Sequence, residues 1–191
     1  MFFNDNYAIN NNPKEMKNHN EPLIVLSGIR LHYVSSYKYL GVTICSNMND
    51  DTEIKRQCRN IYGRGNMIIR NFKHCAEYVK CQLFQSFCTS FYCAPLWTVF
   101  SNESVRRIKV AYNRVFRILI GLEHRTSMSE AFICRNLNPF SVVIRKLIVS
   151  FKTRLDNNSH NCLVATLLNS MFSIHCKLTQ CWDKKTQTCS L

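Results

Sequence analysis

The stretch DDTEIKRQCRNIYGRGNMIIRNFK, residues 50–73, is where the chain changes its hydrophobic period. Ile54, Cys58, Ile61, Ile68, Ile69 and Phe72 recur at helical spacing and fall in one stripe about 100° wide. Lys55, Arg59, Arg70 and Lys73 lie nearly opposite that stripe. Asp50 or Asp51 can cap the N-terminus, and Glu53 suits the first turn. Gly63 and Gly65 each weaken a helix by about 1 kcal/mol relative to Ala, so a kink is expected there. The segment reads as an amphipathic helix with a basic outer face.

Before it the period is two. Leu23–Leu26, Ile29–Val34 and Tyr37–Ile44 are three short β-like runs, separated by Ser27-Gly28 and Ser35-Ser36. Residues 21–49 therefore read as a small antiparallel hairpin or meander. Gly41 interrupts the third run, and a Gly inside a strand marks a bulge or a close approach of another backbone or a ligand. Residues 1–20 are Asn-rich with no periodic apolar set and read as loop or disorder. The opening MFFNDNYAIN has neither the basic region nor the apolar core of a signal peptide.

After it three patterns follow. A helix over about 77–99 is apolar on most sides and should be central, with Pro95 bending or ending it. A second amphipathic helix over 103–120 repeats the first: Val105, Ile108, Tyr112, Phe116 and Leu119 form its stripe, and Arg106, Arg107, Arg114 and Arg117 face away. Gly121 is placed to end it. Shorter helices are expected at 127–136, 139–155 and 161–173, with Pro139 at a helix start and a break at Asn157–Ser159. The tail 174–191 reads as weakly structured. The fold class is thus α+β and mostly α-helical, with a small N-terminal β-hairpin or meander followed by a helical bundle over 50–156. Residues 157–191 add a short helix and an irregular tail.

The chain has 25 Lys and Arg against 12 Asp and Glu, a net charge of +13. Residues 53–154 hold 18 bases and 5 acids, so the excess lies in the helical part. Such a concentrated basic surface attracts polyanions, either nucleic acid or an anionic membrane. Solvated faces usually mix both signs. Here residues 53–73 carry six bases to one acid and residues 103–121 five to one, which places phosphate contact ahead of simple solvation.

Residues 81–102 carry no charge and are long enough to span a bilayer. Gln82, Gln85, Ser86, Thr89, Ser90 and Pro95 nonetheless make a poor lipid-facing helix, so a buried core helix is favoured and no membrane partner is expected. The 11 cysteines are irregularly spaced and, without an export signal, point to reduced thiols in an intracellular protein, nuclear or cytoplasmic. His175, Cys176, Cys181 and Cys189 cluster near the C-terminus, but their spacing contains no CxxC and matches no common zinc finger. No metal and no cofactor is expected. No catalytic Ser/His/Asp or Cys/His arrangement and no Gly-rich phosphate loop can be argued.

The order YKYLGVTI, capped helix, LFQSFCTSFYCAPLW and AYNRVFRILIGLEHRTSMSEAF resembles the C-terminal part of the reverse transcriptases of non-LTR (LINE-type) retrotransposons. The positions that carry the likeness are Tyr39-Leu40-Gly41, then Pro95 to Trp97, then Asn113, Arg117 and Gly121, then Ser127 and Ser129. It covers roughly residues 20–155, and NPKEMK is similar to a segment just upstream of that hairpin. The resemblance implies a primer-grip hairpin that closes the palm, followed by a helical thumb. Gly41 would let the backbone lie close to the primer-terminal sugar–phosphate, and Tyr39 and Leu40 would pack hairpin and thumb together. Polymerase chemistry needs paired carboxylates holding two metal ions about 4 Å apart. The family's aromatic-Ala-Asp-Asp turn is missing, and Asp50-Asp51 reads as helix capping.

The expectation is therefore a truncated polymerase fragment with no catalysis of its own, which binds template–primer or DNA duplex along the phosphate backbone. The residues expected to do so are Tyr39, Leu40, Gly41, Lys55, Arg59, Arg70, Lys73, Arg106, Arg107, Arg114 and Arg117. A palm domain supplied elsewhere is a further candidate partner. A helical protein-interaction remnant with merely solvated basic faces, or less favoured a membrane-associated protein, remain the alternatives.

Overall fold

A computed structural model describes residues 24–158, 160–171 and 177–187. The expected loop at 1–20, the NPKEMK segment, and His175, Cys176 and Cys189 of the C-terminal cluster lie outside the described residues. The fold is α+β and mostly helical. Strands β1 (Val25–Leu26), β2 (Ile29–Arg30), β3 (Ser36–Tyr39) and β4 (Val42–Cys45) precede helices α1 (Asp51–Asn71), α2 (Glu77–Cys88), α3 (Asn102–Ile120), α4 (Met128–Ile133), α5 (Phe140–Asn157), α6 (Cys162–Met171) and α7 (Lys177–Gln187).

The strands form two separate antiparallel hairpins rather than one meander. Ser27-Gly28 turns the first, as its sequence signals. The second was hidden inside the run Tyr37–Ile44: Tyr39 pairs with Val42, and Leu40-Gly41 is the two-residue turn between them. Leu40 at φ 46° and Gly41 at φ 81° are both left-handed, the geometry that matches strand twist in a tight hairpin. Gly41 is thus a turn residue, not a bulge within a strand.

Helix α1 runs unbroken through Gly63 and Gly65, where a kink was expected. The two glycines differ in kind. Gly63 has open space around its Cα, whereas Gly65 is buried against Val115 of α3. The core lies between α1, α2 and α3 and is completed by α4 and α5. Phe84, Tyr112, Phe116 and Phe132 are almost fully buried, with Phe116 and Phe132 stacked at 4.5 Å and Phe84 at 4.9 Å from both Tyr112 and Phe116.

The helix expected over 77–99 ends at Cys88, well before Pro95. Ser86 and Thr89 turn their hydroxyls back onto the carbonyls of Gln82 and Gln85, which competes with helix continuation. Arg64 of α1 then caps the freed end, donating from Nη1 to the carbonyls of Phe87 and Ser90. The chain continues through Cys93, left-handed at φ 63°, into a single 3-10 turn at Ala94–Leu96 that accommodates Pro95. Among the described residues no helix is long and apolar enough to cross a membrane. Ser101 caps α3 by accepting from the Ser104 N–H, and Gly121 ends it at φ 76°, as its position predicts. Within the tail expected to be weakly structured, residues 177–187 instead form helix α7, which packs on α5.

Candidate nucleic-acid interface

Helices α1 and α3 lie side by side and run parallel. Asp51 accepts from the backbone N–H of Ser101, and Gly65 abuts Val115; both pairs are 50 residues apart in sequence. Asp50 fixes the same end. Its carboxylate accepts the N–H groups of Thr98 and Val99 at 2.8 and 3.0 Å, and its own N–H donates to the Val99 carbonyl. The acidic pair therefore does not cap its own helix by side chain, as the sequence suggested; Asn49 takes that part by accepting the Asp51 N–H at 2.7 Å. The Ser101 backbone N–H holds the Asp51 carboxyl below its ordinary range.

This register decides which basic residues share a surface. Arg107 of α3 lies near enough to Cys58 of α1 for its charge to act on that thiol, although burial still pushes the thiol up. Arg107 and Arg114 fall on the flank of α3 turned toward α1, and Lys55 and Arg59 on the flank of α1 turned toward α3. These four border the outside of one seam. Arg70 lies further round α1, and Lys73 follows the helix end. Lys55, Arg59, Arg70, Lys73, Arg106, Arg107 and Arg114 are all exposed. Among the described residues Lys55, Arg59, Arg70, Lys73 and Arg114 have no ion-pair partner.

The remaining arginines of the expected set are engaged. Glu103 accepts from Arg106 at 2.7 Å and from Arg107 at 2.9 Å. Those hydrogen bonds hold its carboxyl down to about 2. Arg117 is half-buried, and its Nη2 donates to the Thr126 carbonyl at 3.2 Å, bracing the loop that follows α3.

The hairpin residues stand apart from this surface. Thr43 of β4 donates its N–H to Glu53 at 3.1 Å, which anchors the second hairpin on the Glu53 flank of α1. That flank lies about 120–160° round the helix from Lys55 and Arg59. Tyr39 is 57% and Leu40 72% exposed, so they do not pack the hairpin onto the helices as the resemblance implied. The anchor is on β4, and the tip projects beyond it.

Glu53, which its sequence position marks only as a first-turn acid, is 1% exposed. Burial raises its pKa, but hydrogen bonds from Arg56, the Thr43 N–H and Gln57 outweigh that and leave it lowered. Among the described residues no group of His, Cys, Asp and Glu is arranged to hold a metal, and Cys181 of the C-terminal cluster instead donates its thiol to the Trp97 carbonyl. The signal for α7 was present: Leu178, Cys181, Trp182 and Lys185 recur at helical spacing. No protein-family model, no curated protein and no solved structure matches the chain.

Proposed function

We propose that this chain binds a nucleic-acid duplex along its phosphate backbone through the paired outer faces of α1 and α3, without sequence preference and without catalysis of its own. The reading keeps the likeness to the thumb-like part of a non-LTR retrotransposon reverse transcriptase, and with it an intracellular setting. One observation carries it. Lys55 and Arg59 on one helix and Arg107 and Arg114 on its parallel neighbour border a single seam, and among the described residues three of the four have no ion-pair partner. Two cationic rows along adjacent helices suit a backbone contact that positions without specifying. The lack of catalysis rests on the acids: the Asp50 and Asp51 carboxylates already accept backbone N–H groups, and Glu53 is bound by Arg56. Primer extension on poly(rA)/oligo(dT) should not exceed that of a heat-killed control.

The test is a salt titration. Each neutralised phosphate steepens log K against log salt by about 0.9 on duplex DNA. Replacing Lys55, Arg59, Arg70 and Arg114 by Gln should weaken binding to all sequences alike and flatten the slope by about three and a half units if all four make contact. A folded variant with the wild-type slope would reduce these faces to solvated surface.

That outcome would favour the second reading, a protein-interaction module. The hairpins support it: Leu26, Ile29, Tyr37, Tyr39 and Leu40 are each 57–72% exposed. An apolar surface of this kind fits a protein partner such as a separately supplied palm domain.

A further inference from the structure

The end of α2, the loop before α5 and one face of α5 border a cavity of about 280 Å³, which the buried Tyr112 of α3 also lines. Tyr112 donates its hydroxyl to the Asn138 carbonyl at 2.8 Å, and Lys146 Nζ donates to Asn138 Oδ1 at 3.1 Å. The loop is thus fixed at Asn138 through both its backbone and its side chain. Val143, Lys146, Leu147 and Ser150 stand at i, i+3, i+4 and i+7, so α5 turns a single face to the cavity. Tyr112 falls about 140–160° round α3 from Arg107 and Arg114, which separates the cavity from the basic seam.

The lining sets what fits. Leu137, Val143 and Leu147 supply an aliphatic wall. Water against such a wall is poorly held, and its displacement by an apolar group favours binding. The charge is of one sign. Among the described lining residues Lys146 alone is charged, and no described acid pairs with it. Burial pushes the Tyr112 hydroxyl up, so it remains a neutral phenol and adds no opposing charge. Asn138 takes one ammonium N–H of Lys146, which leaves two for a ligand. Lys146 is exposed, which places its charge at the mouth rather than the floor. Size completes the description. A cavity of about 150 Å³ takes benzene, so the volume here suits one ring with a short acidic arm, about ten to twelve heavy atoms. A single cation matches a monoanion better than a dianionic phosphate ester.

The geometry points to a binding site for a small organic monoanion, a carboxylate carried on an apolar ring. Lys146 takes the carboxylate, and Leu137, Val143 and Leu147 take the ring. Phenylpropionate, its uncharged amide and acetate are the probes, each titrated into the isotope-labelled full-length chain and followed by backbone amide resonances. Phenylpropionate should shift the amides of Asn138, Lys146, Leu147 and Ser150 and bind about fivefold tighter than its amide. Acetate, which lacks the ring, should bind at least about tenfold more weakly than phenylpropionate. Lys146→Gln should abolish the preference for the acid and leave the affinity for the amide unchanged. Ser150→Phe sets a ring over the cavity from an exposed position and should weaken both aryl probes at least about fivefold. Equal affinity of the wild type for acid and amide would overturn the inference, and that comparison needs no variant to fold. So would the absence of shifts at these four amides. A folded Lys146→Gln chain that keeps the preference, or a folded Ser150→Phe chain that binds as the wild type does, counts equally against it.

Discussion

Gly65 of α1 and Val115 of α3 meet so closely that a methyl group added to Gly65 would stand 2.3 Å from Val115 Cγ1. The contact brings two parallel backbones together at the middle of the core. A β-branched side chain cannot easily swing aside, because both its γ carbons and its Cβ face the glycine. Gly65→Ala should therefore destabilise the chain by about 1–3 kcal/mol despite the better helix propensity of Ala. Gly63→Ala, two residues away in open space, should stabilise it by about 0.5–1 kcal/mol. Urea unfolding of both variants checks the contrast. Equal effects would mean that helix propensity alone governs this helix.

Glu53 ties the second hairpin to α1 and gives that tie a pH dependence. Its native pKa lies below the ordinary glutamate value of 4.5, so the stabilisation is present in full above that value. It should fade as pH falls through the lowered native pKa, when the carboxylate takes up a proton. Glu53→Gln should cost about 1–3 kcal/mol, because Arg56 and the Thr43 N–H lose a charged acceptor. Hydrogen exchange at the Thr43 amide provides the measurement. Protection unchanged in Glu53→Gln would show that the hairpin is held by other contacts.

Glu103 holds Arg106 and Arg107 in ion pairs, so on the proposed reading it competes with phosphate for both. Glu103→Gln should tighten duplex binding at low salt and steepen the salt slope by about one to two units, since up to two cations are released for phosphate. A slope identical to wild type would place both arginines outside the binding surface and leave Lys55, Arg59 and Arg114 to carry it.

Leu40 combines two unfavourable features: a left-handed backbone at φ 46° and a side chain 72% exposed. Asn tolerates that conformation far better and, followed by Gly41, makes the preferred hairpin turn. Leu40→Asn should stabilise the hairpin by about 1 kcal/mol, read as slower amide exchange in β3 and β4. A less stable hairpin would mean that the leucine is held by packing within the chain. Slower exchange would leave contact with a partner as the reason for an apolar residue at this turn.

What the sequence determined by itself was the local geometry. The 3.6-residue stripes of α1 and α3, the Ser27-Gly28 turn and the Gly121 helix end each depend on residues within a few positions of one another. Their side chains and backbone freedom decide the outcome wherever the chain later goes. Tertiary structure decided what each polar group met. Asp50 and Asp51 read as helix caps, yet their carboxylates reach amides about fifty residues away, because only the parallel approach of α1 and α3 brings residues 98–101 beside them. Gly63 and Gly65 look alike in sequence, and the crossing of α3 gives one open space and the other Val115. Tyr37–Ile44 has the pattern of one strand, yet it folds back on itself at Leu40-Gly41, and the tertiary contact of Thr43 with Glu53 sets where the resulting hairpin lies. The basic faces were legible as stripes, whereas their division was not: Lys55, Arg59, Arg107 and Arg114 share one seam, and Arg117 turns to the Thr126 carbonyl. Periodicity records which side of a helix is wet, and only packing between distant segments settles which wet sides adjoin.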